Sequence, residues 1–134
     1  MERLEQMLQA HPHPASGAGD AAMACIQACA ACAATCTVCA DACLAEDDVK
    51  AMAQCIRLDL DCADICEITA RLIARPSRRD EPTLEALLDA CATICRACAA
   101  ECARHEHMEH CRICAESCMA CAEACERMMT SLVP

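Results

Sequence analysis

From residue 20 to residue 129 the inward-type positions recur at gaps of three and four, with alanine or polar residues between them. That spacing is the signature of one helix face packed in a bundle, and it predicts four long helices. The first runs from Asp20, a capping residue, to Leu44, with frequent alanine and no breaker inside it. Glu46, Asp47 and Asp48 make an acidic turn, and Asp47 or Asp48 caps a second helix that runs to about Ala74. The stretch Arg75-Pro76-Ser77-Arg78-Arg79-Asp80-Glu81-Pro82 reads as a loop. A third helix spans about Thr83 to Ala103, and a fourth about Glu106 to Met129. Neither Pro nor Gly separates these last two, so phase places the boundary. Continuing from Cys102 predicts positions 105, 109 and 112, yet the next cysteines are Cys111 and Cys114, and the chain turns near His105 to His107. Helices of about 22 to 26 residues, roughly 33 to 39 Å long, make an all-α antiparallel four-helix bundle. A long helical hairpin that assembles only as a dimer is the competing arrangement.

Upstream, residues 2–10 predict a short amphipathic helix with Leu4, Met7 and Leu8 on one side. Residues 11–19 hold both glycines and two of the five prolines and read as a linker. The domain reading is therefore a helix and linker over 1–19 and a bundle over 20–134.

Composition changes what fills the bundle. The 134 residues include 18 cysteines and no Phe, Tyr or Trp, so Cys and Ala must take the interior. A cysteine content this high suits a disulfide scaffold only in a secreted chain. The start Met1-Glu2-Arg3-Leu4-Glu5 lacks the basic and apolar regions of a signal peptide. The expected compartment is the cytosol, where thiols stay reduced and clustered cysteines usually mean metal. A membrane span is not expected, because charged residues interrupt the apolar runs. The formal charge of −10 argues against nucleic acid or anionic lipid as a partner and suits small cations.

All 18 cysteines lie on the seam. The first helix carries Cys25, Cys29, Cys32, Cys36, Cys39 and Cys43; the second Cys55, Cys62 and Cys66; the third Cys91, Cys95, Cys98 and Cys102; the fourth Cys111, Cys114, Cys118, Cys121 and Cys125. Space-filling accounts for one or two buried cysteines, but alanine, valine and leucine fill space without the liability to oxidation. Residues four apart on a helix have Cβ atoms about 5–6 Å apart, so two thiolates can turn toward one ion. Soft thiolates select copper(I), zinc or iron–sulfur clusters. Zinc wants four ligands in a closed tetrahedron, so these thiols supply only about four such sites. The bacterial ferredoxin spacing is absent. Copper(I) accepts two or three sulfurs, and a continuous stripe then gives a continuous row of many ions per chain, on the order of 9 to 18. Ile56, Leu58, Ile65, Leu72, Leu87, Ile94 and Ile113 back the seam.

The two ends of the seam differ. One gathers Glu46, Met52, His105 and His107, with His110 close by; the other gathers Ala22, Thr69, Ile73, Leu84, Leu88 and Met128. The first reads as a mouth with imidazole and thioether ligands, the second as an apolar plug. Met108 lies near the mouth but off the seam, and His11 and His13 take no role. Asp59 occupies the seam position between Cys55 and Cys62, where a carboxylate is costly unless it binds a metal or a thiol proton. The candidate metal ligands are the 18 cysteines with His105, His107, His110, Met52 and Asp59.

The four Cys-rich helices, the eight CxxxC pairs (25/29, 32/36, 39/43, 62/66, 91/95, 98/102, 114/118, 121/125) and the missing aromatics resemble the cytosolic branch of the bacterial copper storage proteins. The resemblance covers about residues 20 to 130; Cys55 and Cys111 fall outside the pairs. It implies a four-helix bundle that holds copper(I) on inward cysteines and assembles as a homotetramer. The function expected is copper(I) storage and buffering without catalysis, the partners being copper ions supplied by a copper chaperone. A zinc or general soft-metal buffer is the alternative. A thiol redox enzyme or sensor is the alternative of another class; it needs one distinguished low-pKa cysteine, and none stands out.

Overall fold

The computed structural model describes residues 2–13 and 19–132. It contains α1 (Glu2–Gln9), α2 (Gly19–Leu44), α3 (Ala53–Ile73), α4 (Glu81–Ala103) and α5 (Glu109–Ser131), with a short 3-10 turn at Val49–Met52 before α3. The last four α-helices form an up-down-up-down bundle. Each packs against its neighbours in sequence, and α5 closes the square against α2. Alternating helix direction puts the ends of α2 and α4 beside the starts of α3 and α5.

Local chemistry sets the boundaries. Asp48 caps the 3-10 turn, its carboxylate accepting from the Ala51 amide at 3.3 Å. Asp20, expected as a cap, lies inside the first turn of α2, where its charge faces the free amides of the helix start. The third bundle helix begins at Glu81 rather than near Thr83. Asp80 accepts from the Thr83 amide at 3.1 Å, and Pro82 sits in the first turn, where no amide partner is lost. The fourth begins at Glu109 rather than near Glu106, because residues 104–108 form the turn and Met108 takes the extended N-cap conformation. Residues 14–18 of the predicted linker lie outside the described residues.

The interior is a cysteine column flanked by Ala63, Ala92, Ala99 and Ala122, with Ile26, Ile73, Leu84, Leu88 and Met128 toward one end and Met52 toward the other. Of the residues expected to back the seam, Ile56, Leu58, Ile65, Leu72 and Ile94 are half-buried against it, and Leu87 is also half-buried. Ile113 instead faces outward, 45% exposed. Leu4 and Leu8 of α1 pack against the core, whereas Met7 points to solvent. Gln27 on α2 donates to Glu5 at 3.4 Å, and His11 lies 3.2 Å from the Ser77 hydroxyl. These contacts set α1 across the end that holds Ile73 and Leu84.

One sequence expectation needs correction. Charged residues do not interrupt α2 between Asp20 and Asp41, and by length and composition it could cross a membrane. Its apolar character comes from cysteine and alanine, and all six of its cysteines are buried in the bundle.

Candidate metal site

Every cysteine is a free thiol, and none is more than 1% exposed. The seam delivers them inward because two positions in seven of each helix face the bundle axis. Within single helices, facing thiols approach to 3.7 Å at Cys32/Cys36, 3.8 Å at Cys62/Cys66, 3.9 Å at Cys25/Cys29 and 4.0 Å at Cys98/Cys102. Contacts between helices are as close or closer. Cys36 lies 3.5 Å from Cys118, and Cys66–Cys95, Cys29–Cys121 and Cys55–Cys102 are each 3.6 Å apart. The CxxxC pair is therefore not the natural unit.

The sulfurs group into quartets drawn from three helices, each with all members within 4.8 Å of one another. They include Cys29/Cys91/Cys121/Cys125, Cys32/Cys62/Cys66/Cys95, Cys32/Cys36/Cys62/Cys118, Cys36/Cys98/Cys114/Cys118 and Cys39/Cys43/Cys55/Cys111. Cys55 and Cys111, outside the CxxxC pairs, complete the last of these. Cys32, Cys36, Cys62 and Cys118 each belong to two of these five.

Such a lattice ionises unevenly. Side-chain hydrogen bonding with Cys125, and then with Cys29, lowers Cys25 to about 5. Cys55 is lowered to about 3, chiefly by Cys102 and then Cys39, and Cys121 to about 7, chiefly by Cys125 and Cys29. Their partners shift the opposite way: Cys102 is pushed up by Cys114, Cys39 and Cys55, and Cys125 by Cys121 and Cys25. Burial raises Cys111 to about 11. At neutral pH some sulfurs are thus biased toward the thiolate that a soft cation needs, while their neighbours stay neutral.

Asp59 points into this lattice and is fully buried. Its Oδ1 lies 3.1 Å from Cys98, 3.4 Å from Cys114 and 3.5 Å from Cys102, and its Oδ2 is 3.8 Å from Cys55. Burial, then the nearby Cys114 charge, raises its carboxyl to about 10, so it is held as a neutral acid.

The structure separates the other predicted ligands. Met52 is buried at the predicted mouth end, and Met108 packs half-buried against the core. His110, in the first turn of α5, brings Nδ1 to 3.5 Å from both Cys39 and Cys111, and its Nε2 donates to Glu46 at 2.8 Å. His105 is half-buried, its Nε2 3.0 Å from Glu101. His107 was expected on the seam, but α5 starts later, and His107 sits exposed in the turn with its ring 6.5 Å from that of His105. Glu101, only 9% exposed, was not singled out from sequence; its i,i+4 spacing to His105 was the available signal. A groove of about 320 Å³ between α2 and α5, walled by Ala34, Thr35, Val38 and Ile113, reaches Cys39 and His110 from the side.

The chain has relatives. The family profile described as copper storage protein (Csp) matches residues 18–130. The uncharacterized cysteine-rich protein YhjQ of Bacillus subtilis is 41% identical over 93 residues, which is 69% of this chain and 82% of that protein. Among solved structures, the copper storage protein Ccsp from Streptomyces lividans, loaded with 10 copper equivalents, superposes with a TM-score of 0.93 at 45% identity, covering 96% of this chain and 99% of that one. Cu(I)-bound BsCsp3, the copper storage protein 3 of Bacillus subtilis, gives a TM-score of 0.72 at 39% identity, covering 81% of this chain and 97% of that one.

Proposed function

Because the chain belongs to the copper storage protein family, we propose that it stores and buffers copper(I) on its buried thiols in the cytoplasm, without catalytic turnover. The observation that carries this reading is the lattice of overlapping sulfur quartets. Copper(I) shares bridging thiolates between neighbouring ions, so overlap raises capacity rather than limiting it. The 18 cysteines are its ligands. His110 and Met52 join them at the mouth end and Asp59 within the lattice, and His105 receives ions at the surface. A copper chaperone delivers the metal, and the chains assemble as a homotetramer.

A quartet of sulfurs also fits zinc, which takes four ligands in a tetrahedron. Charge balance supports copper. One copper(I) per thiolate leaves the core neutral, whereas each zinc held by four thiolates leaves a net charge of about −2 in a medium that penalises it. Amides within the helices are already bonded to carbonyls and cannot offset that charge. Overlapping quartets also cannot all close at once around zinc.

The test is a copper(I) titration of the reduced protein against a competing chelator, beside a zinc titration. More than about ten copper ions per chain are expected from ligand counting. Saturation at about four ions of either metal would replace storage with zinc-type sites.

A further inference from the structure

Resting on the copper reading, we propose that Glu46 is a positioning residue for His110. By fixing the imidazole tautomer it makes the Cys39/Cys43/Cys55/Cys111 quartet a mixed sulfur–nitrogen receiving site. Three contacts carry this. Glu46 Oε2 lies 2.8 Å from His110 Nε2. On the other edge of the same ring, Nδ1 is 3.5 Å from Cys39 Sγ and 3.5 Å from Cys111 Sγ. A carboxylate oxygen accepts and cannot donate, so this contact requires the ring proton on Nε2. Neutral imidazole carries only one such proton, and the Nδ1 lone pair is left facing two thiols of one quartet. Without Glu46 the proton is free to occupy Nδ1, where it would block the lone pair a metal needs.

The placement is specific. Glu46 stands in the turn after α2 and His110 in the first turn of α5, so the contact bridges two elements and holds the ring against rotation. Both side chains are partly exposed, Glu46 by 34% and His110 by 24%, while the sulfurs behind them are sealed. His110 also lines the side groove between α2 and α5 that ends at Cys39. The ring thus stands between solvent and the thiol lattice with its donor turned inward. Carboxylates that orient a metal-binding histidine in this way typically contribute about 10- to 100-fold in metal affinity or activity.

Two measurements test the assignment. In the metal-free reduced protein, nitrogen-15 NMR of labelled histidine should find His110 in the Nε2–H tautomer. Glu46→Ala should convert it to a mixture, and Glu46→Gln, whose amide oxygen still accepts, should restore the parental signature. In stopped-flow copper(I) transfer, Glu46→Ala should slow capture of the first ion by up to about 10-fold, no more than His110→Ala does. The same substitution in a His110→Ala background should add nothing. An unchanged tautomer in Glu46→Ala overturns the proposal, as does a further slowing in the His110→Ala background, which would mean that Glu46 acts independently of the ring. The tautomer is read without metal, so failure of the parental protein to take up copper strikes the storage reading instead.

Discussion

The two ends of the bundle are built from the same helical repeat yet finish in opposite chemistry. At one end Ile73, Leu84, Leu88 and Met128 are sealed, α1 lies across them, and the buried Thr69 hydroxyl donates to the Ile65 carbonyl at 2.7 Å. At the other, Met52 is the one large buried apolar side chain among the described residues, and that end also holds Glu46, Glu101, His105 and His110. The first end contributes stability, with its Met128 thioether sealed from solvent. The second gives up apolar burial for groups that can bind and pass an ion. A cysteine core is poor in apolar volume, so the sealed end has to do much of the work of holding the helices together.

The sharpest way to break this contrast is to hollow the sealed end. Leu84→Ala and Leu88→Ala should each destabilise the metal-free protein by about 2–5 kcal/mol in urea unfolding, since both side chains are fully buried. Copper-transfer rates should stay near parental. A leucine variant that exchanges copper faster while keeping its stability would assign the entrance to the wrong end.

A second test lies between the ends, at Asp59. Its carboxyl stays protonated in the fold up to about 10, against an ordinary value of 3.8. Between those values the folded protein binds a proton that the unfolded chain has released. Stability from this group is therefore present at acid pH and lost as pH rises across the window. Asp59→Asn cannot titrate, so it should gain on the parental protein from about pH 5 to about pH 9, by up to about 1.4 kcal/mol per pH unit. A gap between the two proteins that does not change with pH would show that the carboxyl is not held neutral.

Smaller effects sharpen the donor end. His110→Ala should slow copper transfer by about tenfold, equivalent to about 1.4 kcal/mol, with capacity nearly unchanged because most ligands are sulfur. His107→Ala should leave the rate at the parental value, since that ring is exposed in the turn. Equal slowing in both variants would restore His107 to the entrance.

How much of this could be read from sequence follows from how local each feature is. The cysteine seam, the four long helices and the residues at each end are consequences of one periodicity, and the periodicity is written along the chain. The start of α4 was missed by two residues, because Pro82 reads as a loop residue along the chain yet stands in the first helical turn behind the Asp80 cap. The start of α5 was missed too, since neither Pro nor Gly marks it and the cap is Met108, which makes no side-chain capping bond. That displacement of a few residues is what exchanged His107 for His110 beside the thiols. The quartets were illegible for a deeper reason. Spacing along a helix says which thiols face inward, but which of them meet depends on the relative height and rotation of separate helices. The outward turn of Ile113 and the Glu46–His110 contact are likewise set by packing between elements.

The sharing of Cys32, Cys36, Cys62 and Cys118 between quartets has a statistical consequence. Independent sites fill at random, and a half-loaded population then carries ions scattered along each chain. Sites that share a ligand behave as a one-dimensional lattice with nearest-neighbour terms, as stacked repeats do when they fold. Once one ion has displaced the proton from a shared sulfur, the adjoining site needs one deprotonation fewer, so occupancy spreads in contiguous runs. A sample given half its capacity should then hold filled stretches bordered by empty ones, with a few domain boundaries per molecule in place of many isolated ions.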